Sequence, residues 1–243
     1  MKKIRQAWTA NFNYWTQERS LTALLVYLFI GIVTWMPLSE ENAIEEAIQD
    51  IVFNLIVLAG YFSAAKDESL QTGLLRKVLL VLALMAFSFR VLDYFYADPT
   101  VEKIDMILST SFFATLSIVI FKFVVRDDDE VNTYRVQGAV VVYILIGLVC
   151  SFLYNLIYLS NQGAFVFSNS HNPELNFAYM VYFSFVVQTT VGAGDIVPID
   201  PMTKSLVIFQ SMTGMLYPVV IIARLVSLEI EHTKLKKNRD PKH

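Results

Sequence analysis

The stretch Thr189-Thr190-Val191-Gly192-Ala193-Gly194-Asp195 lies between an apolar run, Tyr179 to Gln188, and the turn-like Ile196-Val197-Pro198-Ile199-Asp200-Pro201. Two glycines on alternate residues suit three chemistries: a phosphate cradle, a calcium loop or the lining of an ion path. A dinucleotide fingerprint needs a third glycine three residues further on, and that position is Val197. No Gly-Lys-Ser/Thr follows either, and Lys204 lies beyond Pro198 and Pro201. The residues therefore argue against a nucleotide partner.

The chain around this stretch is 55% hydrophobic and 17% charged, with a mean hydropathy of +0.50. That is too apolar for an ordinary soluble domain and places the protein in a bilayer. Long apolar stretches run near 21–38, 44–65, 74–97, 104–125, 136–159 and 203–228, each about long enough for a hydrocarbon core of roughly 30 Å. The run 177–188 is too short and is expected to be re-entrant. Irregular backbone directly after it, at membrane depth, survives only where protein or water satisfies its polar groups, which is the setting of a pore. The first run has no small-x-small cleavage site after it and is expected to be a retained span. Before it, Ile4, Trp8, Phe12 and Trp15 recur at helical spacing beside Lys2, Lys3 and Arg5, as in a helix lying in the interface; a frayed tail is the alternative.

With six spans, the basic loops and both termini fall on one side, and of the loop lysines and arginines only Lys103 and Lys204 fall opposite. The basic side is expected to be cytoplasmic, in a multi-pass cell-membrane protein. Glu40, Glu41, Glu45, Glu46, Asp98, Glu102, Glu174, Asp195 and Asp200 then make the outer face negative, which concentrates cations at an entrance. No nucleic-acid partner is expected; membrane lipids are. Cys150 is the single cysteine, so no intrachain disulfide forms.

Span, short helix, glycine-rich descent, span is the plan of a pore module, with 136–159 outer, 177–188 the pore helix and 203–228 inner. A filter that strips water from a cation must aim successive carbonyls at it. Alternating right- and left-handed backbone does so, and glycine takes the left-handed positions at least cost. Gly192 and Gly194 have the required spacing, with Thr190, Val191 and Ala193 supplying further oxygens and Asp195 at the outer mouth. The helix dipole of 177–188 aims its negative end inward.

The residues YFSFVVQTTVGAGDIVP resemble the pore-loop signature of potassium channels, usually written TTVGYGD, and TGMLYPVVIIARLV resembles the inner helix of bacterial single-pore members related to two-pore-domain channels. The likeness covers about 135–230. It implies a homotetramer that conducts potassium passively, with no cofactor and no enzymatic activity, and with the ion held at Thr190, Val191, Gly192, Ala193 and Gly194. Thr189, Asp195, Phe183 and Gln188 support the filter, and Gly214 and Pro218 offer a hinge in the inner helix, although both residues are also common in membrane helices generally. The fold class expected is all-α: six transmembrane helices plus a re-entrant pore helix and filter loop. The segments expected are an interfacial helix (1–20), a four-helix membrane domain (21–130), the pore domain (131–230) and a basic tail (231–243).

Four departures from the family qualify this. Ala193 replaces the filter tyrosine, whose ring braces the filter from behind, and Phe183 stands where relatives often carry a hydrogen-bonding Trp. Phe183, Phe185 or Gln188 is expected to fill the space, while Gln188 has the alternative of bonding local backbone. A glutamate that many relatives place behind the filter is Val186. The fourth span lacks regularly spaced arginines, so steep voltage gating is not expected.

Asp50 and Arg90 each lie about 10 Å from the outer end of a span and are expected to pair, with Asp93 as a second acceptor, either fixing register or acting as a sensor. The run Arg126 to Glu130 and the basic Lys234 to Arg239 either pair between subunits or stay solvated, and His171 reads as a surface residue. Two functional alternatives remain: a non-conducting or non-selective scaffold whose filter has degenerated at Ala193, and a secondary transporter, which normally shows paired broken spans.

Overall fold

The computed structural model describes residues 17–35, 43–65, 73–96, 99–126, 133–167 and 177–239. The expected interfacial helix before residue 17, His171, and Asp127 to Glu130 lie outside the described residues. Among the described residues five helices come first: α1 (Gln17–Trp35), α2 (Ala43–Ala65), α3 (Gly73–Tyr96), α4 (Pro99–Val125) and α5 (Thr133–Ser160). Pro99 opens α4 at the position where a missing N–H costs nothing, while Glu102 in its first turn and Lys122 in its last both complement the helix dipole. A 3-10 turn, Gln162–Ala164, leads into strand β1 (Phe165–Phe167), helix α6 (Phe177–Gln188), strand β2 (Ile196–Pro198) and helix α7 (Pro201–Arg239). Asp200 caps α7, its Oδ2 accepting from the N–H groups of Met202 at 2.9 Å and Thr203 at 3.2 Å.

Among the described residues, three segments are long and apolar enough to cross a membrane: Thr100–Val125, Tyr134–Ser160 and Pro201–Ile230. The other three expected spans, 21–38, 44–65 and 74–97, coincide with helices α1, α2 and α3, and the described apolar parts of α1 and α2 are Ser20–Thr34 and Ile48–Ala64. Helix α6 is too short to span, as expected. The basic segment from Lys234 to Arg239 is helical and continuous with α7.

Helix α1 packs on α2 and α5, α3 on α2 and α4, α4 along α5, and α6 against both α5 and α7. One apolar core, from Leu21 to Leu225, runs through both halves, so the expected boundary at 130/131 interrupts no packing. Aromatic rings link the layers: Phe53 of α2 meets Phe113 of α4 at 5.6 Å, Phe113 stacks on Phe152 of α5 at 5.6 Å, and Phe152 stacks on Phe177, the first residue of α6, at 4.6 Å. Large rings at these separations gain dispersion beyond their burial. Helix α7 differs from the rest: its apolar window is 17% buried, against 61% for α5, and Met215, Val219 and Ile222 of α7 are exposed.

Candidate functional site

Helix α6 ends in a double hydrogen bond. The Thr190 N–H donates to the Val187 carbonyl at 3.0 Å and the Val191 N–H to the Val186 carbonyl at 3.0 Å, while Thr190 itself has φ +60°. This is the Schellman arrangement, in which the residue after the cap turns left-handed so that the last carbonyls find donors. Glycine normally takes that position; a residue with a Cβ is strained there by about 1–2 kcal/mol. The Thr189 hydroxyl also donates to the Phe185 carbonyl, at 2.6 Å.

The left-handed residue begins an alternation. Among the described residues positive φ occurs at Thr190 (+60°), Gly192 (+59°) and Gly194 (+79°), with Val191 and Ala193 between them at negative φ. Reversal of handedness at every residue turns successive peptide units so that neighbouring carbonyls point the same way, the arrangement a dehydrated cation needs. Residues 189 to 194 are all exposed in the single chain, and no protein atom lies within 4 Å of where a Cβ on Gly192 would stand.

Beyond the loop, Asp195 accepts from the Ile196 N–H through Oδ1 at 3.0 Å, and its carboxylate interacts with the Tyr182 hydroxyl of α6. Strand β2 then pairs antiparallel with β1, Phe165 opposite Pro198 and Phe167 opposite Ile196, and the Ile199 N–H donates to the Ala164 carbonyl at 2.8 Å. This ribbon ties the loop's exit to the end of α5. Neither Tyr182 nor the ribbon was expected from the sequence; the signal for the ribbon was two short β-branched or aromatic triplets, FVF and IVP.

Each of the residues expected to fill the space behind Ala193 has partners within the chain. Phe183 packs edge-on against Tyr154 of α5 at 5.0 Å and Phe165 of β1 at 5.5 Å, and Phe185 lies against Gly147 of α5, where a Cβ would come within 2.7 Å of its ring. Gln188 is 1% exposed, and its Nε2 donates at 2.6 Å to the carbonyl of Tyr143, a backbone group 45 residues away and so not local. Its Oε1 accepts from Gln210 Nε2 of α7 at 3.2 Å; the same nitrogen reaches the Ser184 carbonyl at 3.1 Å and the Ser184 hydroxyl at 2.7 Å. Tyr154 donates to Gln210 Oε1 at 2.8 Å, and Ser184 donates to the Gly147 carbonyl at 2.7 Å. Gln210 is fully buried and carries no periodic signal in the sequence, because it is a lone amide in the apolar part of α7.

Gly214, expected as a hinge, lies at a close contact between helices. It is buried where α7 crosses the end of α6, and a Cβ there would be driven into the Gln188 carbonyl oxygen, with the carbonyl carbon at 2.9 Å. Close approach by itself requires glycine here. Helix α7 runs on without interruption through Pro218.

Away from the loop, Arg90 of α3 approaches Asp50 of α2 at 3.7 Å, as expected from the sequence. Its nearer partner is Asp105 of α4, at 3.1 Å and 0% exposed, while Asp93, the second acceptor expected, has a side chain outside the described residues. The Arg90 guanidinium also sits 4.3 Å over the ring of Phe53, a cation–π contact. Asp105 escaped the sequence reading because it falls one turn inside its span beside Lys103, where it resembles an outer-loop residue. Among the described residues no group of acidic, histidine or cysteine side chains is arranged to hold a metal ion, so the backbone oxygens of residues 190 to 194 are the candidate cation ligands.

Residues 141–231 match a family model described as "Ion channel". The match starts within α5 and ends in α7, taking in α6 and the alternating loop. No curated protein and no solved structure matches the chain.

Proposed function

We propose that the protein is a homotetrameric, passively conducting cation channel of potassium type, with Thr190 to Gly194 as its filter and both termini cytoplasmic. The alternation of positive φ at Thr190, Gly192 and Gly194 carries this reading, because it aligns carbonyl oxygens without any ligating side chain. The ion-channel match over residues 141–231 supports conduction, and the exposure of residues 189 to 194 supports assembly. A loop exposed at membrane depth leaves backbone groups without partners, and four copies about one axis enclose them around a shared ion path. The exposed apolar face of α7 supplies surface both for the neighbouring copies and for lipid. Lipids are the remaining partner; nucleotides and nucleic acids have no role.

The test is flux through purified protein in liposomes. Potassium uptake down its gradient, from a particle whose mass in detergent corresponds to four chains, is expected. Absence of any cation flux supports a scaffold, accumulation against the gradient on addition of a second ion supports a transporter, and a conducting monomer or dimer refutes the tetramer.

A further inference from the structure

The most connected buried polar cluster of the described residues lies beside the loop, in the contact of α5, α6 and α7. Its orientation is determined. The Ser184 carbonyl only accepts, so Gln210 must present Nε2 to it, which leaves Oε1 for the Tyr154 hydroxyl and aims Nε2 also at Gln188 Oε1. Gln188 then has Nε2 free for the Tyr143 carbonyl. Every amide atom has a partner, and exposures of 0% for Gln210 and 1% for Gln188 leave no place for solvent.

We propose that the Gln188–Gln210 amide pair, with Tyr154, is the device that sets ion preference in this channel, by fixing the position of the filter's first residue. The claim rests on the conduction reading above. Gln188 is the last residue of α6 and stands two residues before Thr190, whose left-handed cap closes on the carbonyls of Val186 and Val187. Where the end of α6 sits therefore determines where the Thr190 carbonyl sits. Apolar helix contacts permit small sliding; a directional network spanning three helices selects one register. Gly147 and Gly214 bring α5 and α7 against the same end of α6 so closely that a Cβ at either would clash. A filter that cannot shift toward a smaller ion discriminates against it. Ala193, toward the other end of the loop, carries no ring that could brace it there, and the amide pair holds the end that begins at Thr190.

The decisive variant is Tyr154→Phe/Gln188→Met/Gln210→Met. It removes the whole network while keeping volume, and it strands no side-chain polar group except the Ser184 hydroxyl, which keeps the Gly147 carbonyl. Melting temperature and tetramer mass are expected to match the wild type, whereas the potassium-to-sodium permeability ratio from bi-ionic reversal potentials falls at least about 5-fold. A wild-type ratio in this variant overturns the proposal. If the triple variant does not assemble, Tyr154→Phe alone serves, with an expected fall of about 2-fold, and an unchanged ratio overturns the proposal equally. Amide hydrogen exchange over residues 189–192 gives a readout without current, expected to accelerate at least about 10-fold in the triple variant while α1 and α2 stay unchanged. Faster exchange in a protein that passes no cation would refute the conduction reading and leave the positioning of the loop standing. A conducting protein with unchanged ratio and unchanged exchange would refute the positioning.

Discussion

Gly214→Ala distinguishes two accounts of the same glycine by the sign of its effect. If Gly214 is a flexible joint, alanine stiffens α7 and stabilises the protein by about 0.5–1 kcal/mol per subunit, the usual difference in helix propensity. The structure predicts the opposite. The new Cβ would be driven into the Gln188 carbonyl oxygen and would stand 2.9 Å from the carbonyl carbon and 3.0 Å from Cγ. Two of these three atoms are backbone, so no rotamer change relieves them; α7 must move away from the end of α6. Overpacking costs about 1–3 kcal/mol, and with rigid backbone opposing the Cβ the upper part of that range, about 2–3 kcal/mol, applies; less about 1 kcal/mol of propensity, the net loss is about 1–2 kcal/mol. The net loss per subunit lowers the melting temperature in detergent by about 2–8 °C, using the scaling for a domain of this size. Gln188→Ala should not rescue the variant, since it removes Cγ and leaves the carbonyl in place. A melting temperature at or above that of the wild type would refute the contact and restore the hinge.

Three further outcomes are expected. In double-mutant cycles read by thermal melting, Arg90 should couple more strongly to Asp105, at 3.1 Å and fully buried, than to Asp50, at 3.7 Å and partly exposed; equal or reversed coupling energies would contradict the geometry. Thr190→Gly should relieve the left-handed strain and raise stability by about 1–2 kcal/mol; a lower melting temperature would show that the Thr190 side chain is a net stabiliser. Ala193→Tyr should raise the potassium-to-sodium permeability ratio and strengthen the tetramer, because Phe183, Phe185 and Gln188 already have partners within the chain; a ratio already high and unmoved by the ring would show that no brace is missing.

The parts legible in the sequence were those with a local period. The spacing of Gly192 and Gly194 announced the alternating loop, and the short run 177–188 announced a helix that does not span. Thr190 reads as an ion ligand in the sequence, but its positive φ is not legible there, because a β-branched residue gives no sign of left-handed backbone; the sign lies in its position one residue beyond the cap of α6. Asp50 and Arg90 were legible as charges at matching depth, whereas the preference of Arg90 for Asp105 depends on how α3 and α4 face each other. Gln210 and Gly214 were illegible as contacts for the same reason. Each acquires its role only where α7 crosses α6, and no local pattern encodes a crossing.

The continuous core has a consequence for how such proteins are recombined. A pore unit that shares no core with its neighbours can be cut out and joined to a different regulatory region. Here Leu21, Leu24 and Leu28 of α1 and Phe112, Phe113 and Leu116 of α4 belong to the same buried cluster as Leu145, Leu148 and Phe152 of α5. Excision at residue 131 would strip α1 and α4 from α5 and expose the surfaces they cover. The packing that joins the first four helices to the pore therefore makes them a unit of inheritance, to be exchanged together or resurfaced residue by residue.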